Sequence, residues 1–360
     1  MIVTFPNFGP VRLVLPKILN SMGIESVVPP ANDSEILERG AELSPEEMCI
    51  PFKYMMGNLI AAYEMGADTA IMASTAGPCR LGQYGQMMIE LMEENGYNYE
   101  WILFDTPSVI GVREFTNRMM KLFRGGSGSG RSALAGVLQG LELVGRIDGF
   151  NSDCMRIAGY LKNPYEAAKL MKEMEKRIEE ARTFKECRKA ADEFTRALNR
   201  LERKNSADPV KILIAGEIYT SMEKEANRNL EEKLMELGCS IERHIDLSWW
   251  IKHTIADAVL PGAVKNIGRR GMRCGIGGYG RETVNKIISP GQCDGIIKIM
   301  PAGCMPEIAT KAYCENLQEG SDIKILHLVY DEISGSAGYE TRIEAFADML
   351  ERRKDVLARN

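Results

Sequence analysis

The sequence predicts an α/β protein: two pseudo-symmetric Rossmann-like lobes with parallel sheets, joined by a helical segment. Three observations carry that expectation. Residues 1–30, "MIVTFPNFGPVRLVLPKILNSMGIESVVPP", and residues 210–246, "VKILIAGEIYTSMEKEANRNLEEKLMELGCSIERHID", both run strand, helix, glycine turn, strand. That is the unit of a parallel sheet. Residues 112 to about 207 lose strand character altogether. Finally, two cysteine pairs repeat at one interval, because Cys49 lies 30 residues before Cys79 and Cys274 lies 30 residues before Cys304.

In the first lobe, "VRLVLPKILNSMG" reads as a helix closed by Gly23, and in the second "MEKEANRNLEEKLMELG" reads as one helix closed by Gly238. Leu19, Met22 and Gly23 align with Leu234, Leu237 and Gly238. Helix-like segments follow Cys49 ("PFKYMMGNLIAAYEMG") and Cys274 ("GRETVNKIISPG"). An aspartate, Asp68 or Asp294, then precedes an apolar strand that runs into "AGPC" at Cys79 or "AGC" at Cys304. Two pairs at one spacing and in one strand-and-turn context point to an internal duplication.

Between the lobes, the charged stretch "PYEAAKLMKEMEKRIEEARTFKECRKAADEFTRALNRLERK" carries Leu170, Met174, Ile178 and Ala181 at helical spacing. It predicts one or two long amphipathic helices. "NSADP" (205–209) reads as the loop into the second lobe, and "YETRIEAFADMLERRKDVLARN" as a terminal helix. The domains expected are therefore residues 1–111, a helical connection over 112–208, and residues 209–360.

Composition narrows the function classes. At 360 residues, 45% hydrophobic and 26% charged, the chain has room for two ordinary globular cores. A net charge of −5 lacks the basic footprint of a nucleic-acid binder, leaving proteins and small molecules as partners. The opening "MIVTFPNFGP" has no basic region ahead of an apolar stretch, and no apolar run approaches membrane-spanning length. The expectation is a cytoplasmic protein without a membrane span. Nine cysteines, an odd number, beside three histidines argue against a disulfide framework and for thiols that bind metal, carry redox chemistry or fill the core.

In open parallel sheets, ligands sit at the carboxyl ends of the strands. Cys79 and Cys304 fall there, each ahead of a helix-like run, where free N–H groups lower a thiol's pKa and favour an anionic cluster. Gly77 and Gly303 permit close backbone approach, while Pro78 and Pro306 stiffen the turns. Thiolates so placed suit zinc or an iron–sulfur cluster, and the lack of a close C-x-x-C or C-x-x-H pair disfavours zinc. Cys49 (just before Pro51) and Cys274 join Cys79 and Cys304 as candidate ligands. Cys293 begins the strand that leads to Cys304, roughly 20 Å away at ~3.3 Å per residue. Cys314 is about 15 Å along a helix from Cys304 at 1.5 Å per residue. Cys239 starts a strand and so sits at its other end, and Cys187 reads as core. Cys154, near a helix break, is the one further cysteine that spacing leaves open.

"EEMCIPFKYMMGNL", "GPCRLGQYGQ" and "MPAGCMPE" together resemble the 2-hydroxyacyl-CoA dehydratase / benzoyl-CoA reductase superfamily, nearest the activase-associated double-cubane cluster proteins. The resemblance implies two lobes pinching a cluster. A [4Fe–4S] unit would be held by Cys49, Cys79 and Cys304, or an [8Fe–9S] double cubane by six cysteines. Cys274, surplus to a three-cysteine site, and Cys154 lean towards the larger cluster, yet six well-placed cysteines are not evident. Separately, low charge repulsion and a long apolar-striped helix lead to the expectation of a homodimer. The resemblance further implies a protein that receives electrons from an ATP-hydrolysing activator with its own [4Fe–4S] cluster and reduces a small molecule. Arg80, Gln83 and Tyr84 would donate hydrogen bonds to cluster or substrate, and Glu307 or Glu47 would supply a proton. Two alternatives stand beside this reading: a dehydratase subunit that removes water from a CoA thioester, and a structural or regulatory protein with buried thiols.

Other motifs carry less. "GGSGSGRS" (125–132) nearly matches a phosphate loop, but Arg131 replaces the lysine and a helix rather than a strand precedes it. "GIGGYGRE" (275–282) is glycine-rich, but no acidic residue is placed to read a ribose. "HIDLSWW" (244–250) reads as a packed loop, and His253 and His327 are isolated.

Overall fold

A computed structural model describes the chain except for residues 74–79, 106–109, 206–207, 260–271, 273, 320–321, 334 and 360. Two four-stranded sheets, parallel throughout, organise it. The first contains β1 (Ile2–Thr4), β2 (Glu25–Ser26), β3 (Thr69–Ala73) and β4 (Glu100–Phe104) in the order β2-β1-β3-β4. The second contains β5 (Lys211–Gly216), β6 (Ser240–Arg243), β7 (Gly295–Pro301) and β8 (Lys324–Tyr330) in the order β6-β5-β7-β8. The orders match strand for strand, and the expected pair of pseudo-symmetric lobes is present.

The symmetry extends to single hydrogen bonds. Asp68 accepts from the Ile2 N–H at 2.8 Å at the start of β1, and Asp294 accepts from the Lys211 N–H at 2.8 Å at the start of β5. Each aspartate also donates its own backbone N–H to the same partner residue. Gly23 (φ 70°) and Gly238 (φ 75°) follow equivalent helices, α1 (Val11–Ser21) and α10 (Leu230–Glu236), in the left-handed conformation that the cap requires.

The remaining first-lobe helices are α2 (Ser34–Glu42), α3 (Ile50–Glu64) and α4 (Leu81–Glu94). Helices α2 and α3 cross at van der Waals limits: a Cβ on Gly40 would meet the Lys53 oxygen at 1.7 Å, and one on Gly57 the Ile36 oxygen at 1.9 Å.

Helices α5 (Val112–Arg124) and α6 (Gly130–Ile157) open the connection, and its charged stretch then forms two amphipathic helices, as expected, α7 (Tyr165–Glu180) and α8 (Phe184–Asn199). Side-chain caps explain the divisions. Ser129 accepts the Ser132 N–H to open α6, and Thr183 with Glu186 forms a reciprocal capping box at α8. Helix α6 seats α1 on its glycines: a Cβ at Gly136 would lie 1.7 Å from Ser21 Oγ, and one at Gly140 would lie 2.4 Å from Ile18 Cδ1.

In the second lobe, the single helix expected between β5 and β6 is broken into α9 (Ile218–Met222) and α10. The break falls at Arg228 and Asn229, both left-handed with φ 56°. Helices α11 (Leu247–Val259), α12 (Gly280–Ile288), α13 (Met305–Glu319) and α14 (Ser336–Arg359) complete the described residues. The terminal α14 packs on its own lobe through Tyr339, Ile343, Phe346 and Leu350.

The largest buried cluster draws Leu13 and Val14 from the first lobe, Leu143 to Leu198 from the connection, and Ile212 to Leu350 from the second lobe. Among the described residues, no helix is long and apolar enough to cross a membrane.

Candidate functional site

The two lobes meet at the carboxyl ends of their strands. Phe8, beyond β1, stacks on Tyr219 of α9 with ring centroids 5.7 Å apart. Asn32 donates to the Tyr219 hydroxyl at 3.1 Å. Lys53 of α3, 3% exposed, pairs with Glu332 beyond β8. Gly303 (φ 75°) brings the second lobe to the first, its nearest cross-lobe atom being the Glu47 carbonyl oxygen, 3.8 Å from an ideal Cβ.

Between these contacts lies a small cleft of about 30 Å³ lined by Cys49, Arg80 and Tyr84 from one lobe and Glu217, Gly303 and Cys304 from the other. Cys49 is the N-cap of α3, extended at φ −70° and ψ 154°, with Pro51 in the first turn. Cys304 precedes α13, and its carbonyl accepts the Ile308 N–H at 2.9 Å, the first helical bond. Both thiols therefore stand where a helix presents unpaired N–H groups and the positive end of its dipole. The buried Tyr84 hydroxyl touches Cys49 Sγ, and Arg80 donates to the Glu47 carbonyl at 3.1 Å from the cleft's exposed rim.

Of the predicted ligands, Cys49 and Cys304 are brought together. Cys79 lies outside the described residues, though its sequence neighbour Arg80 lines the cleft. Cys274 is exposed and does not line the cleft. Cys154 is fully buried on α6 in the large apolar cluster, where burial pushes its thiol well above the ordinary range, so the structure places it in the core rather than beside the other two. Burial likewise pushes Cys239 up to about 12 and Cys293 and Cys314 up to about 11, the mark of inert structural thiols. Among the described residues, no three His, Cys, Asp or Glu side chains are gathered closely enough to hold one metal ion.

The candidate polar residues divide similarly. Arg80 and Tyr84 line the cleft, whereas Gln83 and Glu47 are exposed. Glu307 does not line it; it is buried, 2% exposed, with its carboxylate 2.6 Å from Lys298 Nζ and bonded by the Thr283 and Thr310 hydroxyls. A carboxylate held by an ammonium and two hydroxyls anchors the first turn of α13, and its charge also reaches Glu217 in the cleft. His244 and Trp249 form a tilted contact, and His253 stacks on Trp249 with ring centroids 4.6 Å apart, so "HIDLSWW" opens a packed helix rather than a loop.

Glu217 is the cleft residue that the sequence did not single out. It follows Gly216 at the end of β5, where a Cβ would meet the Ile299 oxygen at 1.9 Å. Its carboxylate caps α9, accepting the Tyr219 and Thr220 N–H groups at 2.9 and 2.8 Å. Burial raises its carboxyl above the ordinary range against the lowering pull of those N–H groups. An acidic residue directly after a β-strand of the repeat was the available signal.

Each lobe contributes one cysteine to the cleft's lining, and thiolates are the ligands that hold iron–sulfur clusters. The cleft's room is that of one or two water molecules. No protein-family model matches the chain, and no curated protein matches it.

Proposed function

We propose that the chain is an iron–sulfur reductase component, with the cluster between its lobes held by Cys49, Cys79 and Cys304, and with electrons delivered by an ATP-hydrolysing activator. The observation that carries the reading is the convergence of Cys49 and Cys304, one from each lobe and each at a helix N-terminus, on a single cleft. When bound, the cluster would supply one-electron transfer at low potential.

The chain's own residues supply the rest. The N-terminal ends of α3 and α13 favour the thiolate form of their cysteines. Tyr84 touches Cys49 Sγ, where its hydroxyl would donate to a thiolate, and such outer bonds tune a metal site. Gly303 lets the α13 turn approach the facing lobe without a Cβ. Arg80, at the exposed rim, offers a fixed positive charge to an anionic substrate. Glu217, its carboxyl raised by burial, is the group in the cleft suited to hold a proton.

Iron and acid-labile sulfide measured on anaerobically purified protein, with its visible spectrum, test the reading. About four irons per chain supports the three-cysteine site, and about eight supports a double cubane with further ligands. Cys49→Ser and Cys304→Ser should each lower the iron content. A colourless chain that also resists anaerobic reconstitution overturns the proposal.

A further inference from the structure

A second cavity, of about 180 Å³, lies where both lobes meet the helical connection and shares no lining residue with the cysteine cleft. Its volume is close to that of a site holding one six-membered ring. Its apolar wall comes from Leu13, Met171, Met174, Met222 and Met235. Methionine side chains adapt to small ligands of varied shape.

The charges on the wall are not balanced. Each of its four cations already has a carboxylate partner: Arg12 with Glu179 (2.8 Å), Lys172 with Glu232 (2.5 Å), Arg243 with Glu231 (3.3 Å), and Lys224 with Glu175. Glu223 and Glu225 also line the cavity; Glu225 feels the charge of Arg228, whereas no lysine, arginine or histidine among the described residues lies within ion-pair distance of Glu223. Glu223 is placed by the fold. It ends α9, and its Oε2 accepts the Gly9 N–H at 3.0 Å across the lobe boundary. Burial raises its carboxyl and Glu175 adds to the rise, while hydrogen bonds from the Gly9 N–H and the Asn32 side chain, and then the charge of Arg12, oppose it. The unmet charge is negative, and the wall beside it is apolar.

We propose that this cavity binds a small primary ammonium compound, with its cation on Glu223 and an alkyl stem of about four carbons against the methionines. A carboxylate of the same length would face Glu223 and Glu225 with like charge. This inference is independent of the cluster, because it requires neither iron nor the cysteines.

Isothermal titration of the full-length chain with n-butylammonium chloride, and separately with sodium butyrate, tests it. Saturable binding of n-butylammonium alone is expected. Glu223→Gln keeps an acceptor for the Gly9 N–H and should weaken that binding at least tenfold. Ala168→Met, on α7 at the cavity wall, leaves every carboxylate in place and should abolish it. Circular dichroism melting confirms that each variant folds, and either variant alone suffices if the other does not. No saturable heat from n-butylammonium, equal binding of butyrate, or binding indifferent to the folded variants overturns the proposal.

Discussion

Lys298 Nζ lies 2.6 Å from Glu307 Oε2 and 2.9 Å from the Glu307 carbonyl oxygen, with the two side chains 0% and 2% exposed. The pair ties the centre of β7 to the first turn of α13, immediately beyond Cys304. Truncating one partner strands a buried charge. Glu307→Ala should therefore cost about 3–5 kcal/mol in urea unfolding. The double variant Lys298→Met with Glu307→Leu removes both charges and should recover more than half of that loss. Equal loss in the single and double variants would show that packing, not charge, is what the pair provides.

Tyr84 and Cys49 are in contact at the cleft. A hydroxyl that donates to sulfur favours the thiolate over the thiol. Tyr84→Phe should thus slow iodoacetamide alkylation of Cys49 in cluster-free protein by about threefold to tenfold, with little change in melting temperature. Faster alkylation would mean that the tyrosine only covers the thiol.

His244 and His327 are both held down to about 4, by burial first and then by nearby lysines: Lys286 for His244, Lys298 and Lys311 for His327. Their folded values lie below the unfolded value, so between about pH 4 and 6.5 the unfolded chain binds more protons than the native one. Stability should be level above about pH 6.5 and fall as pH drops, by an order of 2–3 kcal/mol per histidine over the full window. Glu217, Glu223 and Asp148 have raised carboxyl values and act oppositely, since their contribution grows as pH falls through the folded value. The histidine share is therefore read between about pH 5 and 6.5 as the difference between the natural chain and a histidine variant, in which the carboxyl contributions cancel. Urea midpoints across that range, for the natural chain and for His327→Gln, check the slope, which should be smaller in the variant.

Gly57→Ala places a methyl 1.9 Å from the Ile36 carbonyl oxygen, a backbone atom that cannot move without shifting α2. The cost should be about 1–3 kcal/mol or more. Because α3 begins at Cys49, the variant should also hold less iron under the proposed function. Gly66→Ala is a useful contrast: no neighbour lies within 4 Å of its Cβ, and only its φ of 97° opposes the change.

Much of the architecture was legible because the duplication writes the same features twice. Asp68 and Asp294, Gly23 and Gly238 each perform one local task in both lobes, and local tasks leave local signals. Strands β4 and β8, although paired along their length with β3 and β7, drew no notice because neither ends in a glycine–cysteine turn. The break between α9 and α10 was equally hidden. It is set by the left-handed Arg228 and Asn229 and by Glu223 reaching Gly9, more than 200 residues away in sequence. Cys304 and Cys49 could be singled out from their turns, but Cys154 could not be judged until tertiary packing enclosed it. Glu307 sat beside Cys304 in sequence, yet the helix turns its carboxylate inward to Lys298.

The apolar cluster that takes side chains from the first lobe, the connection and the second lobe has a thermodynamic consequence. Chains of two lobes ordinarily melt in separate steps. Here α6 is clasped to α1 through Gly136 and Gly140 and shares a continuous core with β5 and α14, so among the described residues one apolar cluster crosses the lobe boundary. The molecule should absorb heat in a single calorimetric peak, with the van't Hoff and calorimetric enthalpies in agreement, and should behave as one cooperative unit despite having the outline of two.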